Sequence, residues 1–213
     1  MMYHTPALIL KKDEWGEADL LITALARDFG KIRLRAQGAR KHGAKLQGHI
    51  EPGSISELSF VMGRNGYRLT TARLVEPFLE LKTSLDKLRA LYWVISFLDG
   101  NLMEERDRAE ELFGVAYQAL AAMNRARRLE AVENILLWSQ VKFFEFLGLL
   151  PSSYSPEAAR CQNLLSLGSK TLQEVEAVEL LTPDFSSEMT WLIGYLRNVV
   201  SVPHAVNAPR FAV

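Results

Sequence analysis

The residues with the clearest potential for chemistry lie between positions 29 and 50. Six lysine and arginine side chains occur in this stretch, which contains no aspartate or glutamate. They are Lys31, Arg33, Arg35, Arg40, Lys41 and Lys45. A run of cations without counter-charge is suited to contact the phosphates of a nucleic acid. The same pattern also fits a solvated edge strand, on which lysine and arginine discourage aggregation.

Aromatic side chains near these cations would be needed for base stacking. Phe60 and Tyr67 are predicted to face each other across a hairpin and Phe29 to lie in a turn, and all three are expected mainly in the core. Trp15 lies in the polar segment 13–17 and is the better candidate for an exposed contact. Its acidic neighbours argue against direct proximity to phosphate.

The sequence contains no pattern of residues typical of nucleotide hydrolysis, metal binding or enzymatic catalysis. Segment 38–45 resembles a phosphate-binding loop, but Lys45 is displaced by one residue from the required Gly-Lys pair and Leu46 replaces the serine or threonine that binds the metal. The four histidines lack the spacing of metal ligands, and Cys161 has no partner motif. We therefore expect no catalytic residues, no metal and no cofactor, and we do not expect an enzyme.

Composition narrows the class of protein further. The chain has 213 residues, 48% of them hydrophobic, and its 25 basic and 25 acidic residues give a formal net charge of zero. These values exclude wholesale disorder and a globally basic nucleic-acid binder, but they allow a locally basic face. No secretory leader and no apolar stretch of membrane-spanning length is evident, so we expect a cytoplasmic protein that does not contact a membrane.

The cations depend on a set of short strands for their position. Five strands are predicted within the first 75 or so residues, separated by turns that include Asn65-Gly66. Strict alternation over residues 31–37 places Lys31, Arg33 and Arg35 on one solvated face of a strand and apolar side chains on the other.

After Pro77 the apolar residues adopt helical spacing. Longer helices are predicted over residues 81–98, 104–123 and 129–147, shorter ones over 171–181 and 186–200, and a loop over 151–170. The chain is therefore predicted to be α+β and multi-domain, with a five-stranded OB-fold β-barrel at 1–79 followed by an all-α helical domain at 80–213. The strand pattern alone leaves an SH3-like barrel and an open meander as alternatives.

Several short motifs, taken in order, carry a resemblance to a known family. They are Gly16-Glu17-Ala18-Asp19, the apolar strand at 20–27, Gly30-Lys31-Ile32-Arg33, Gly38-Ala39-Arg40-Lys41, and Glu76-Pro77-Phe78 at the entry to the first helix. Over residues 7–80 the chain resembles the RecO family of bacterial recombination mediator proteins.

This resemblance implies an N-terminal OB-fold that binds single- and double-stranded DNA and anneals complementary strands. It also implies cooperation with RecR, contact with the C-terminal tail of the single-strand DNA-binding protein, and help in loading the RecA recombinase, all without catalytic turnover. The implied location is the bacterial cytoplasm, in association with the nucleoid. By motif, the DNA contacts are Lys31, Arg33, Arg35, Arg40 and Lys41; Lys45 is added because of its charge.

One departure from the family concerns a zinc module. Many relatives carry four cysteines in the second half of the chain, whereas the corresponding segment, around 152–170, contains only Cys161. The module is therefore degenerate here, and zinc is not expected. The residues that bind partners are not identified by the sequence. The alternative function is a protein-interaction module whose OB-fold no longer binds DNA, which the zero net charge and the acidic helical half favour.

Overall fold

The structure is a computed structural model that describes residues 1–64, 66–104, 108–151, 162–177, 187, 188, 190–192 and 194. Five strands come first: β1 (Met2–Trp15), β2 (Asp19–Ala26), β3 (Gly30–Ala36), β4 (Ile55–Gly63) and β5 (Gly66–Glu76). The helices that follow are α1 (Leu85–Asn101), α2 (Ala109–Arg125), α3 (Leu129–Phe146), α4 (Gln162–Gly168) and α5 (Leu172–Ala177). Short 3₁₀ turns occupy Gln47–His49 and Leu79–Lys82. The predicted mixed α+β architecture, strands first and helices second, is confirmed.

The five strands form a closed barrel in the order β1-β2-β3-β5-β4. All neighbouring strands are antiparallel except β3 and β5, which run parallel. The 14-residue strand β1 pairs with β4 through its first half and with β2 through its second, and the register shifts between Ile9 and Lys11. Such an irregularity bends a strand and allows it to serve both sides of a small barrel. The closed OB-like barrel confirms the predicted fold, and the open meander is excluded.

Period-two alternation fills the barrel interior. The inward side chains of β2 and β3 are entirely apolar: Leu20, Ile22, Ala24, Ala26, Ile32, Leu34 and Ala36. Phe60 is fully buried, with the rings of Phe29 and Tyr67 at centroid distances of 5.3 and 5.0 Å. Full burial of such a side chain stabilises the fold by about 1.5–3 kcal/mol. Phe60 is thus a core residue, as predicted.

The second predicted helix begins later than expected. The start of α2 at Ala109 corrects the expected start at Glu104. Arg108 has a φ of +53°, in the left-handed region, so the helix cannot extend through it towards the N-terminus. No helix of the described part of the chain is long and apolar enough to cross a membrane.

The predicted loop at 151–170 is also wrong in its second half, where α4 forms. Leu164 and Leu167 of this helix are fully buried. A Cβ placed on Gly168 would lie 3.2 Å from the side chain of Val141 in α3, so α4 packs closely on α3 at this point. The burial of its leucines explains the helix, whereas the local turn residues alone predict a loop. Cys161, the first half of the degenerate module and much of the predicted 186–200 helix lie outside the described residues.

Helix α3 forms the centre of the helical packing. It is buried on several sides, as its apolar pattern predicted. Phe143 and Phe144 contact Phe97 of α1 at ring centroid distances of 5.8 and 5.4 Å, and Phe97 stacks on Trp93 at 4.9 Å. Aromatic contacts of this kind fix the relative position of two helices by shape as well as by area.

The described chain divides into two compact units. The first comprises Met1–Phe78 together with Leu98–Tyr117, and the second comprises Leu79–Phe97 and the chain from Gln118 onward. Residues 98–104 therefore belong to the same unit as the barrel. This membership matters for the candidate site, because that segment supplies two carboxylates to it.

Candidate nucleic-acid interface

The first three predicted cations lie on the outward face of β3, but their side chains differ in exposure. The side chain of Arg33 is 57% exposed, and that of Arg35 is half exposed. The Lys31 side chain is only 7% exposed. The expectation that all three lie on one solvated face is therefore wrong for Lys31.

Lys31 is buried because residues at the end of α1 lie over the start of β3. Its ammonium nitrogen lies 3.1 Å from Oδ1 of Asp99 and also donates to the backbone carbonyls of Asp99 and Leu102. These three acceptors match the three N–H donors of a lysine ammonium. A cation held in this way supports the fold, and it is not open to a phosphate.

Each of the three arginines forms an ion pair with a carboxylate from outside the acid-free stretch. Arg33 Nε lies 3.2 Å from Oε1 of Glu104, and Arg40 Nη1 lies 3.1 Å from Oε2 of Glu14. Arg35 donates through Nε to Oδ2 of Asp19 at 2.7 Å. The carboxylates of the Arg33–Glu104 and Arg40–Glu14 pairs are exposed, and such pairs are worth about 0–1 kcal/mol, so a phosphate group can displace these carboxylates. Asp19 is only 13% exposed, so its pair with Arg35 is partly buried.

Lys41 and Lys45 lie in the connection between β3 and β4 and are exposed. Within the described residues, neither side chain has an ion-pair partner. These two lysines and the arginines thus remain available to an anion, whereas Lys31 does not.

Asp19 ties this connection to β2. One of its carboxylate oxygens accepts the Gly38 N–H at 2.7 Å while the other accepts Arg35. The Gly38 N–H and the Arg35 guanidinium hold the pKa of the Asp19 carboxyl below its ordinary value. Gly38 has a φ of +69°, a conformation that favours glycine, and it directs the chain towards Arg40.

Arg40 completes the link between two of the sequence motifs. Its backbone N–H donates to the Ala18 carbonyl at 2.9 Å, and its Nη1 donates to the Gly16 carbonyl at 3.2 Å. The Gly16–Asp19 turn and the Gly38–Lys41 segment, which are separate in sequence, therefore form one hydrogen-bonded structure beside the end of β3. Their joint appearance in the sequence has this structural reason.

A cleft of about 640 Å³ opens beside the exposed part of β3. Its lining combines cations with apolar and aromatic side chains: Trp15, Leu21, Phe29, Lys31, Ile32, Arg33, Arg35, Met62, Gly66, Tyr67 and Glu104. Trp15 at the end of β1 is 51% exposed, and Met62 at the end of β4 is exposed as well. The acidic neighbours of Trp15 argue against direct proximity to phosphate, and the structure places Trp15 in the lining of the same cleft as Arg33 and Arg35.

Sequence reasoning missed one cation of this face. Arg68 on β5 is exposed and is the register partner of Arg35 on β3. Directly opposed residues of two paired strands share a face, so the two guanidinium groups point the same way from the sheet. The available signal was the alternation of Arg68 with the buried Leu69 after the Asn-Gly turn.

Comparison with known proteins is consistent with this geometry. A family model described as "Recombination protein O N terminal" matches residues 1–78, which is the whole barrel. The barrel is a RecO-type N-terminal domain. The resemblance to the RecO family that the sequence motifs carried is confirmed.

Individual RecO relatives extend the similarity beyond the barrel. "DNA repair protein RecO" from Roseiflexus sp. (strain RS-1) is 32% identical over 165 residues, covering 78% of this chain and 56% of the relative. The protein of the same description from Desulforamulus reducens is 33% identical, covering 70% of this chain and 57% of its own length. One from Dehalococcoides mccartyi (strain ATCC BAA-2266 / KCTC 15142 / 195) is 26% identical over 208 residues, which is 97% of this chain and 75% of that protein. The chain thus spans a little over half the length of the first two RecO proteins.

Proposed function

We propose that this chain binds DNA through the barrel cleft and acts in recombinational DNA repair. The observation that carries the proposal is the exposed pair Arg33 and Arg35, which lines one cleft together with the half-exposed Trp15. Cations for phosphates and an aromatic face for bases are the two components of a nucleic-acid groove on an OB-fold. The similarity to proteins described as DNA repair protein RecO supports the same role.

The proposed DNA contacts are the cations whose side chains are exposed. Arg33, Arg35, Arg40, Lys41 and Lys45 contact phosphates, and Arg68 joins them. Lys31 holds the start of β3 against residues 99–102, and its part in DNA binding is indirect. Because such contacts release counterions, affinity falls steeply with salt and depends little on base sequence.

The proposed mechanism is that of a recombination mediator. Neutralising the backbones of two complementary strands at once lowers their repulsion and allows them to anneal. In the cell the chain works with RecR, engages the C-terminal tail of the single-strand DNA-binding protein, and helps load RecA onto the coated strand. These partners, and a cytoplasmic location in association with the nucleoid, come from the RecO resemblance.

Fluorescence anisotropy with a labelled single-stranded oligonucleotide tests the DNA-binding step. We expect wild-type binding to weaken linearly on a log–log plot against salt. Loss of two phosphate contacts in Arg33→Ala with Arg35→Ala should flatten that slope by about 1.4 for a single strand. The matched control is Arg89→Ala, because Arg89 is 56% exposed and also pairs with a carboxylate, but lies in the second unit.

A protein-interaction module without DNA binding is the second candidate. The observation that favours it is the pairing of Arg33, Arg35 and Arg40 with carboxylates, which locally neutralises them. This alternative predicts no retention of the oligonucleotide by the wild-type protein even at low salt. In that case the helical region becomes the place to search for a partner.

A further inference from the structure

Trp15 stands out among the cleft residues because a large apolar ring is left half in solvent. It ends β1, opposite Asp19, and lies on the outward face of the barrel sheet. No other aromatic ring packs against it among the residues that the structure describes. Because strand pairing fixes its backbone and tryptophan has only two side-chain torsions, little conformational entropy is lost when a ligand immobilises the ring.

The strand register places Trp15 next to the phosphate-binding side chains. Asp19, its partner on β2, is the residue that holds Arg35, and Leu21 on the same face pairs with Arg35. Met62, an exposed and flexible thioether, lines the same cleft. The apolar ring and the guanidinium groups therefore present two chemistries to one ligand, an apolar face for a flat ring and cations for the adjoining phosphates.

We infer that Trp15 is the stacking residue for an unpaired base, and that it makes the cleft prefer single-stranded to double-stranded nucleic acid. This inference rests on the proposed DNA binding and goes one step beyond it. In a duplex both faces of each base are covered by its neighbours, so only an unpaired base can lie on the indole ring. The phosphates of both forms remain accessible to Arg33 and Arg35, which therefore bind without discriminating between them.

The size of the cleft is compatible with this occupant. About 640 Å³ lies within the range of sites that take drug-sized or nucleotide-sized ligands. Tyr67 and Phe29 on its inner side are partly buried and are already engaged with Phe60, so they form the floor and leave the exposed face of Trp15 for stacking.

The test measures affinities for a single-stranded oligonucleotide and for its duplex with Trp15→Ala, Trp15→Phe and wild type. Loss of one stacked base weakens single-strand binding roughly 5- to 100-fold. We expect that loss in Trp15→Ala, little change in duplex affinity, and substantial recovery in Trp15→Phe. Tyr92→Ala is the matched control, because Tyr92 is an equally exposed aromatic on α1 in the second unit.

The outcomes separate this inference from the proposed function. An equal loss for both DNA forms, or no loss in Trp15→Ala while the double arginine variant loses affinity, overturns the role of Trp15 and leaves DNA binding intact. A wild-type protein that binds neither form at low salt overturns both. Thermal melting checks that each variant is folded, which we expect for an exposed strand-end residue.

Discussion

The two ends of β3 carry positive charges on the same face, but the charge at one end is buried and the charges towards the other end are exposed. At the start of the strand, Lys31 is covered by residues 99–102 and all three of its N–H donors are satisfied. From the middle of the strand to its end, here called the open end, Arg33 and Arg35 are exposed in a cleft and pair with the exposed Glu104 and the largely buried Asp19. The covered end stabilises the fold, and the open end is available to a ligand.

This difference shows how a basic strand is divided between two tasks. Withdrawing an ammonium group from water requires replacement partners, and Lys31 finds them 68 and 71 positions away along the chain. An exposed guanidinium needs no such support and can exchange one anion for another. Charge in sequence therefore gives an upper limit on the cations that a nucleic acid can reach.

Charge reversal at the open end has the largest expected effect. Arg33→Glu combined with Arg35→Glu should weaken binding of a single-stranded oligonucleotide on the order of 100-fold, because two phosphate contacts are lost and like charges are added. Anisotropy titrations at one fixed low salt concentration measure the loss. The single reversal Arg89→Glu should stay close to wild type, and an equal loss in that control would show a non-specific charge effect instead.

Substitution of Lys31, at the covered end of β3, should lower the stability of the fold. Lys31→Ala leaves Asp99 without its partner and opens a cavity, which should lower the free energy of unfolding by about 2 kcal/mol. Arg33→Ala should lower it by less than about 1 kcal/mol. Urea unfolding followed by circular dichroism compares the two variants.

For DNA affinity the two variants should rank in the opposite order, with the larger loss in Arg33→Ala and the smaller loss in Lys31→Ala. Folded Lys31→Ala should bind within about twofold of wild type, since a buried ammonium makes no phosphate contact. A large loss of DNA affinity in folded Lys31→Ala, with stability unchanged, would reverse the comparison between the two ends of β3.

Removing the carboxylate that competes for Arg33 should raise the DNA affinity of the open end of β3. Glu104→Gln frees Arg33 from an exposed ion pair, so DNA affinity should rise by about two- to fivefold. Glu130→Gln is the matched control, because Glu130 has the same exposure and pairs with Arg128 in the second unit. Equal affinity in Glu104→Gln and wild type would mean that the Arg33–Glu104 pair does not compete with phosphate.

The smallest expected effect concerns pH. Because the folded-state pKa of Asp19 lies below its unfolded value, the charged carboxylate adds stability above about pH 4, and this contribution is lost as pH falls through the folded-state pKa. Asp19→Asn lacks this contribution at every pH. The melting temperature of the variant should therefore lie below wild type at pH 7, and the gap should close on acidification towards pH 2.5. A gap that stays constant would contradict the account.

Much of the barrel was predictable because its signals are local. Alternation over residues 31–37 and the Asn-Gly dipeptide at 65–66 are signals that depend on neighbours in sequence; the alternation corresponds to β3, and the glycine of the dipeptide begins β5. The start of α2 was missed because the left-handed conformation of Arg108 has no signature in apolar spacing. Helix α4 was missed because its stability comes from packing on α3, a tertiary effect.

The candidate site was predictable in composition and less so in arrangement. Arg33 and Arg35 were found because they alternate with buried residues, and their exposure follows from the same alternation. The burial of Lys31 and the pairing of Arg40 with Glu14 depend on chain segments that fold back onto the strand, and so does the presence of Trp15 in the cleft. No property of residues 29–50 alone contains that information.

Photo-crosslinking tests the central claim, that the cleft at the open end of β3 binds single-stranded DNA. An oligonucleotide with 5-iodouracil at defined positions is irradiated in complex with the wild-type chain, and mass spectrometry maps the attached residue. We predict crosslinks at Trp15 or Tyr67, the exposed and half-buried rings of the cleft. Crosslinks confined to α3–α5, with none in the barrel, would contradict the account.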